Sequence, residues 1–76
     1  LYVFITNQRL QIGGLDENEK IKLIEIVDIT GKVVYSRRME GESIYQPVEL
    51  NYNQGVYFAR IATNRQQIIR KFLLNQ

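Results

Sequence analysis

The sequence predicts an all-β fold, an Ig-like antiparallel β-sandwich of about seven short strands. Three observations point there. Five tyrosines, three phenylalanines and a high density of valine and isoleucine suit the pleated, half-buried surface of a strand. Turn-forming residues recur roughly every ten positions, the spacing expected of sandwiches and barrels. Between the turns, apolar and polar side chains alternate with a period of two.

The first strand is expected over residues 1–5, with a break at Thr6-Asn7-Gln8, and the second over residues 9–12. A loop from Gly13 to Lys20 follows. Residues 17–27 place Ile21, Leu23, Ile24 and Ile26 among Glu and Lys, so a helix is imaginable. The β-branched density and the strong turn that follows favour a strand over residues 21–27. Asp28-Ile29-Thr30-Gly31 has the form of a type I turn. An aspartate in first position accepts backbone N–H groups within the turn, and a glycine in fourth position supplies φ > 0 for a bulged hairpin. The next strand covers residues 32–37, and Ile24/Ile26 and Val33/Tyr35 are expected to share one sheet face.

After a break at Glu40-Gly41-Glu42, a strand is expected over residues 43–50. It contains Pro47, the only proline, which has no N–H to give a ladder and points to an edge strand or a bulge. Gly55 lets the chain turn sharply out of residues 51–54 into a central strand over residues 56–63. Tyr57, Ala59 and Ile61 share one face of it, and Val56, Phe58, Arg60 and Ala62 the other, so the arginine-free face is the core candidate. A tyrosine at the start of such a strand can bury its ring and send its hydroxyl to nearby backbone, as tyrosine corners do. The last strand covers residues 67–74, with Ile68, Arg70, Phe72 and Leu74 on one face and Ile69, Lys71 and Leu73 on the other. The faces alone leave its register open. A two-residue turn at Asn64-Arg65 pairs Tyr57 with Phe72 and Ile61 with Ile68, but brings Arg70 beside Ala59 unless the guanidinium snorkels to an edge. The expected core is Ile24, Ile26, Val33, Tyr35, Tyr57, Ala59 and Ile61.

A chain of 76 residues makes one domain, with a core that rarely supplies more than about 3–5 kcal/mol. Cysteine is absent, which excludes disulfides and thiolate metal sites and suits passage through an oxidising space. Histidine is absent too, so Ser–His and Cys–His catalysis within the chain is excluded. Gly13-Gly14 lacks the Lys-Ser/Thr of a phosphate-cradling loop. No apolar run approaches the roughly 18–20 residues that span a bilayer. Leu1-Tyr2-Val3-Phe4-Ile5 lacks the basic flank and cleavage site of a signal peptide. The expectation is a single domain over residues 1–76, a fragment of a longer protein with any leader upstream.

Net charge is +2, too little to argue for nucleic acid. Its distribution is uneven. Residues 1–49 hold six basic and eight acidic side chains, whereas residues 50–76 hold Arg60, Arg65, Arg70 and Lys71 and no acid. That end is either a solvated hairpin face or a basic recognition edge. Asp16, Glu17 and Glu19 form an acidic loop without the alternating ligand pattern of a calcium site, read as a plain solvated loop. Arg37-Arg38 with Tyr35 and Tyr45 could stack single-stranded nucleic acid, but Glu40 and Glu42 would oppose the phosphates.

Taken in order, Asp28-x-x-Gly31-Lys32, then Gly55-x-Tyr57, then the basic-to-apolar end Arg70-Lys71-Phe72-Leu73-Leu74 resemble the C-terminal sorting domain of the Bacteroidetes type IX secretion system (the Por secretion system C-terminal domain). The resemblance covers residues 21–74. It departs in lacking a Tyr-Pro-Asn-Pro-like opening, near which Phe4-Ile5-Thr6-Asn7 stands, and in ending on Asn75-Gln76 where many members end in lysine. The resemblance implies a non-catalytic, cofactor-free sorting signal that directs a cargo in cis from the periplasm through the outer-membrane translocon. Cargo is then released or attached to the cell surface, commonly after a sortase removes the domain and joins the cargo to anionic lipopolysaccharide. The implied partners are the translocon and its sortase and shuttle proteins, with no nucleic acid and no membrane insertion. Arg70, Lys71, Phe72, Leu73 and Leu74 are the implied recognition residues. Asp28, Gly31, Lys32, Gly55 and Tyr57 are the motif residues, and each has a complete local explanation as turn or packing. The alternative is an Ig- or fibronectin-like adhesion, carbohydrate-binding or spacer domain of a surface protein, with exposed aromatics on a sheet face favouring the carbohydrate-binding variant.

Overall fold

Alternation decides which residues enter strands here, and the sheets sort them into an inner and an outer set. The computed structural model describes residues 1–40 and 47–75, which form strands and no helix. The strands are β1 (Tyr2–Thr6), β2 (Arg9–Gly13), β3 (Ile21–Asp28), β4 (Val33–Arg38), β5 (Val48–Glu49), β6 (Gly55–Thr63) and β7 (Gln67–Leu74). They make two antiparallel sheets, one in the order β1-β2-β5 and one in the order β4-β3-β6-β7. The expected all-β sandwich is the observed architecture.

The inner faces meet in one apolar cluster. Leu10, Val48 and Leu50 come from the smaller sheet and its flank, and Ile24, Ile26, Ala59, Ile61 and Leu74 from the larger one. Val3, Ile5 and Ile12 pack against the cluster from β1 and β2. Each fully buried Leu or Ile stabilises by about 1.5–3 kcal/mol relative to exposure. Residues 17–27 are not helical: β3 runs between β4 and β6, where β-branched side chains on both faces find cross-strand neighbours.

Of the strand expected over residues 43–50, residues 43–46 lie outside the described residues, as does Tyr45 of the Arg-Tyr grouping. The remainder forms the two-residue β5, an edge strand directly after Pro47, as a proline there predicts.

One core expectation is overturned. Val33 is 47% exposed, and Tyr35 is half-buried. Ile26 pairs with Tyr35, but Val27 pairs with Val33, so the ladder shifts by one residue between Ile26 and Val27. Val34 is the extra residue of this β-bulge and packs against the core in place of Val33. A one-residue slip exchanges the faces, which turns Val33 outward. Ile24, Ile26, Tyr57, Ala59 and Ile61 are buried as expected.

Candidate functional site

The three motif pieces lie on the four-stranded sheet. The first closes β3 onto β4. Asp28 Oδ1 accepts the Thr30 N–H at 2.9 Å, the Thr30 hydroxyl at 2.6 Å and the Lys32 N–H at 3.0 Å. The Gly31 N–H donates to the Asp28 carbonyl at 3.0 Å, the i to i+3 bond of a turn, and Gly31 sits at φ 92°. The Thr30 hydroxyl, then the Lys32 N–H and the Thr30 N–H, hold the Asp28 carboxyl below its ordinary range.

The second piece anchors the start of β6. Gly55 has φ 154°, a backbone that side chains disfavour. Two residues on, the Tyr57 hydroxyl donates to the Asn53 carbonyl at 2.7 Å. Its ring stacks on Phe72, with centroids 5.8 Å apart and planes at 22°, and tilts against Tyr52 at 5.9 Å. Tyr57 thus ties the preceding loop, β6 and β7 together.

The third piece is β7, an edge strand. The two-residue hairpin at Asn64-Arg65 is present, and Tyr57 pairs with Phe72, Ile61 with Ile68, and Ala59 with Arg70. Arg70 escapes the inner face as a snorkelling side chain does: it is exposed, and its Nη1 donates to the Ile69 carbonyl at 3.1 Å. The five implied recognition residues therefore divide. Phe72 and Leu74 face the core, Leu74 being buried, while Arg70, Lys71 and Leu73 are exposed.

The hairpin tip is clamped by the acidic loop, in which Asp16 and Glu17 are exposed as expected but Glu19 is not. Glu19 is buried, at 6% exposure. Its carboxylate accepts the Asp16 N–H at 3.0 Å, the Gln66 side-chain amide at 2.8 Å and the Thr63 hydroxyl at 2.7 Å. These three bonds lower its pKa to about 2. Asn64 accepts the Lys20 N–H at 2.8 Å and donates to the Asn18 carbonyl at 3.1 Å, and Arg65 donates to the Glu17 carbonyl at 3.1 Å. Among the described residues no cluster of carboxylates is placed to hold a metal ion.

The acid-free stretch looks different once paired. Arg60 meets Glu25 at 3.2 Å and Arg65 meets Asp16 at 3.7 Å. Among the described residues, Arg70 and Lys71 have no ion-pair partner, so the basic character concentrates on β7. Ile69, outside the implied recognition residues, shares the outer face with Lys71 and Leu73; its odd-numbered place in β7 is the signal that could have found it. Beside it, Val27, Ile29, Gly31, Phe58 and Arg60 line a depression of about 240 Å³ between the motif turn and the hairpin.

An antiparallel sandwich with this donor set offers surfaces and an exposed edge, and its anchored side chains hold them in place. The chain belongs to the secretion system C-terminal sorting domain family, the sorting domain of type IX secretion, which matches residues 6–75. No curated protein and no solved structure matches it. The family is a sorting signal rather than a catalytic family. Membership implies a carrier protein exported to the cell surface or extracellular space, and contact with type IX machinery by a domain that has its cargo in cis.

Proposed function

We propose that residues 1–76 form a C-terminal, non-catalytic address that directs an attached cargo from the periplasm through the type IX outer-membrane translocon, for release or attachment at the cell surface. The observation that carries this reading is the family match over residues 6–75, nearly the whole chain. Translocon, shuttle and sortase read the domain, and the exposed Arg70, Lys71 and Leu73 of β7 are the contacts. Phe72 and Leu74 serve the reading indirectly, by seating the strand on the core. Motif residues Asp28, Gly31, Lys32, Gly55 and Tyr57 shape and anchor the platform. The test is a reporter preceding these residues in a type IX-competent cell. Surface or medium reporter in that cell, with periplasmic retention in a translocon-deficient one, is the expected outcome; equal retention in both sinks the reading.

A second reading has one observation in its favour. Tyr2 and Phe4 stand exposed on the outer face of the three-stranded sheet, with ring centroids 5.9 Å apart. Such a pair suits the carbohydrate-binding variant of a surface domain. The rings are inclined at 32°, and both residues precede the matched segment. Retention on a polysaccharide column that is lost in Tyr2→Ala/Phe4→Ala would favour it.

A further inference from the structure

β7 is the long, regular edge of the larger sheet. It is eight residues long, and its pairing with β6 runs without a shift from Gly55↔Leu74 to Ala62↔Gln67. At the other edge, β4 has six residues and a bulge against β3, which interrupts any added ladder. The Thr63 N–H donates to the Gln66 carbonyl, so the hydrogen-bonded pairs of this hairpin fall at even-numbered residues of β7. The N–H and C=O groups of Gln67, Ile69, Lys71 and Leu73 therefore point away from β6, along the free edge. Their side chains lie on the outer face, where Ile69 is 53% and Leu73 60% exposed. One of these outward carbonyls, that of Ile69, is covered by the Arg70 guanidinium.

We infer that the free edge of β7 is a strand-addition site for an extended partner segment that alternates apolar and acidic residues, with Arg70 as the guard that such a segment displaces. The charge on the edge selects the occupant. Arg70 and Lys71 have no ion-pair partner among the described residues, and residues 50–76 contain no acid. A carboxylate offers the Arg70 guanidinium a stronger, charge-assisted partner than the Ile69 carbonyl. Its departure frees that carbonyl for a ladder bond with the incoming backbone. Apolar residues of the segment then cover Ile69 and Leu73. A second copy of the chain is the poorer occupant, because antiparallel pairing of two β7 edges sets Arg70 and Lys71 against their own counterparts. A cation over one of the four outward carbonyls also disfavours indiscriminate pairing of this edge.

The inference rests on the sorting reading for its biological setting, but its test is independent of export. The probe is a capped hexapeptide alternating valine and glutamate, with a twin carrying lysine for glutamate, added to the isotope-labelled 76-residue chain. The glutamate peptide should slow amide exchange of Ile69, Lys71 and Leu73 on the order of tenfold, less so in high salt. Arg70→Gln should weaken that binding several-fold, with an unchanged thermal midpoint showing the fold intact. Equal action of the lysine peptide, protection along β4 instead, or protection that grows with chain concentration and no peptide would each overturn the inference. If the peptide fails to bind while Arg70→Gln/Lys71→Gln still abolishes export, the edge inference falls and the sorting reading stands. Peptide binding by a domain that directs no export gives the reverse.

Discussion

The Glu19 carboxylate accepts the Thr63 hydroxyl at 2.7 Å across 44 residues of chain, joining the β2–β3 loop to the tip of the terminal hairpin. With Asp16 and Gln66 as further donors, the charged form is favoured in the folded state, and the pKa falls from an ordinary 4.5 to about 2. The unfolded chain therefore binds the proton more readily, and stability rises with pH across that interval. The contribution is complete above about pH 4.5 and is lost as pH falls through about 2. Glu19→Gln should lower the thermal midpoint at pH 7, and the gap to the parent should narrow toward pH 2. A gap constant across that range would mean that the carboxylate's charge does not hold the hairpin.

At the motif turn, Gly31→Val should destabilise by about 1–3 kcal/mol, because φ 92° strains a β-branched residue. Nothing lies within 4 Å of a Cβ built there, so the cost is backbone strain rather than a clash. Thr30→Ala removes one exposed hydroxyl bond to Asp28 and should cost much less, about 0.5 kcal/mol. Equal urea midpoints for Gly31→Val and the parent chain would place the glycine outside the positive-φ region.

Tyr57→Phe should cost about 0.5–1.5 kcal/mol, by removing the bond to the Asn53 carbonyl while leaving the ring stacked on Phe72. Phe72→Ala should cost more, about 3–5 kcal/mol if the ring's space stays open, since it takes away the stack and leaves a hollow beside the core. Denaturant unfolding of the two variants ranks them, and the reverse order would mean that the hydroxyl rather than the ring anchors β7.

What was legible in the sequence is what depends on near neighbours. The Asn64-Arg65 turn length sets the β6–β7 register, and Tyr57 meets Phe72 as the two-residue turn requires. Asp28 and Gly31 do in space what a turn asks of them locally. Val33 faces outward against β4's own alternation, because the bulge that turns it is a property of the β3–β4 pairing. In the sequence Glu19 is one acid among three, because its partners Thr63 and Gln66 are 44 and 47 residues away. The implied recognition residues are one run in the chain, and the alternation legible in β7 divides it: Phe72 and Leu74 point inward, and Lys71 and Leu73 outward. Arg70 leaves the inner face only because β7 happens to be an edge.

That division makes charge separable from folding in the terminal strand. Arg70 and Lys71 are exposed, and glutamine keeps long side chains in both places, so Arg70→Gln/Lys71→Gln should leave the thermal midpoint of the isolated chain nearly unchanged. Leu74→Ala empties a position only 2% exposed and should cost about 2–5 kcal/mol, so a loss of export in that variant would report misfolding. Carried on a reporter in a type IX-competent cell, the charge-neutral variant should accumulate in the periplasm if the machinery reads the two cations. Arg70→Lys keeps both charges without the guanidinium fork, and should retain export if charge alone is read and lose it if the fork is needed. Should the charge-neutral reporter reach the surface as efficiently as the parent, Arg70 and Lys71 are a solvated strand face. Recognition would then lie elsewhere on the sandwich, and the outer-face depression beside Phe58 and Ile69 is the next surface to alter.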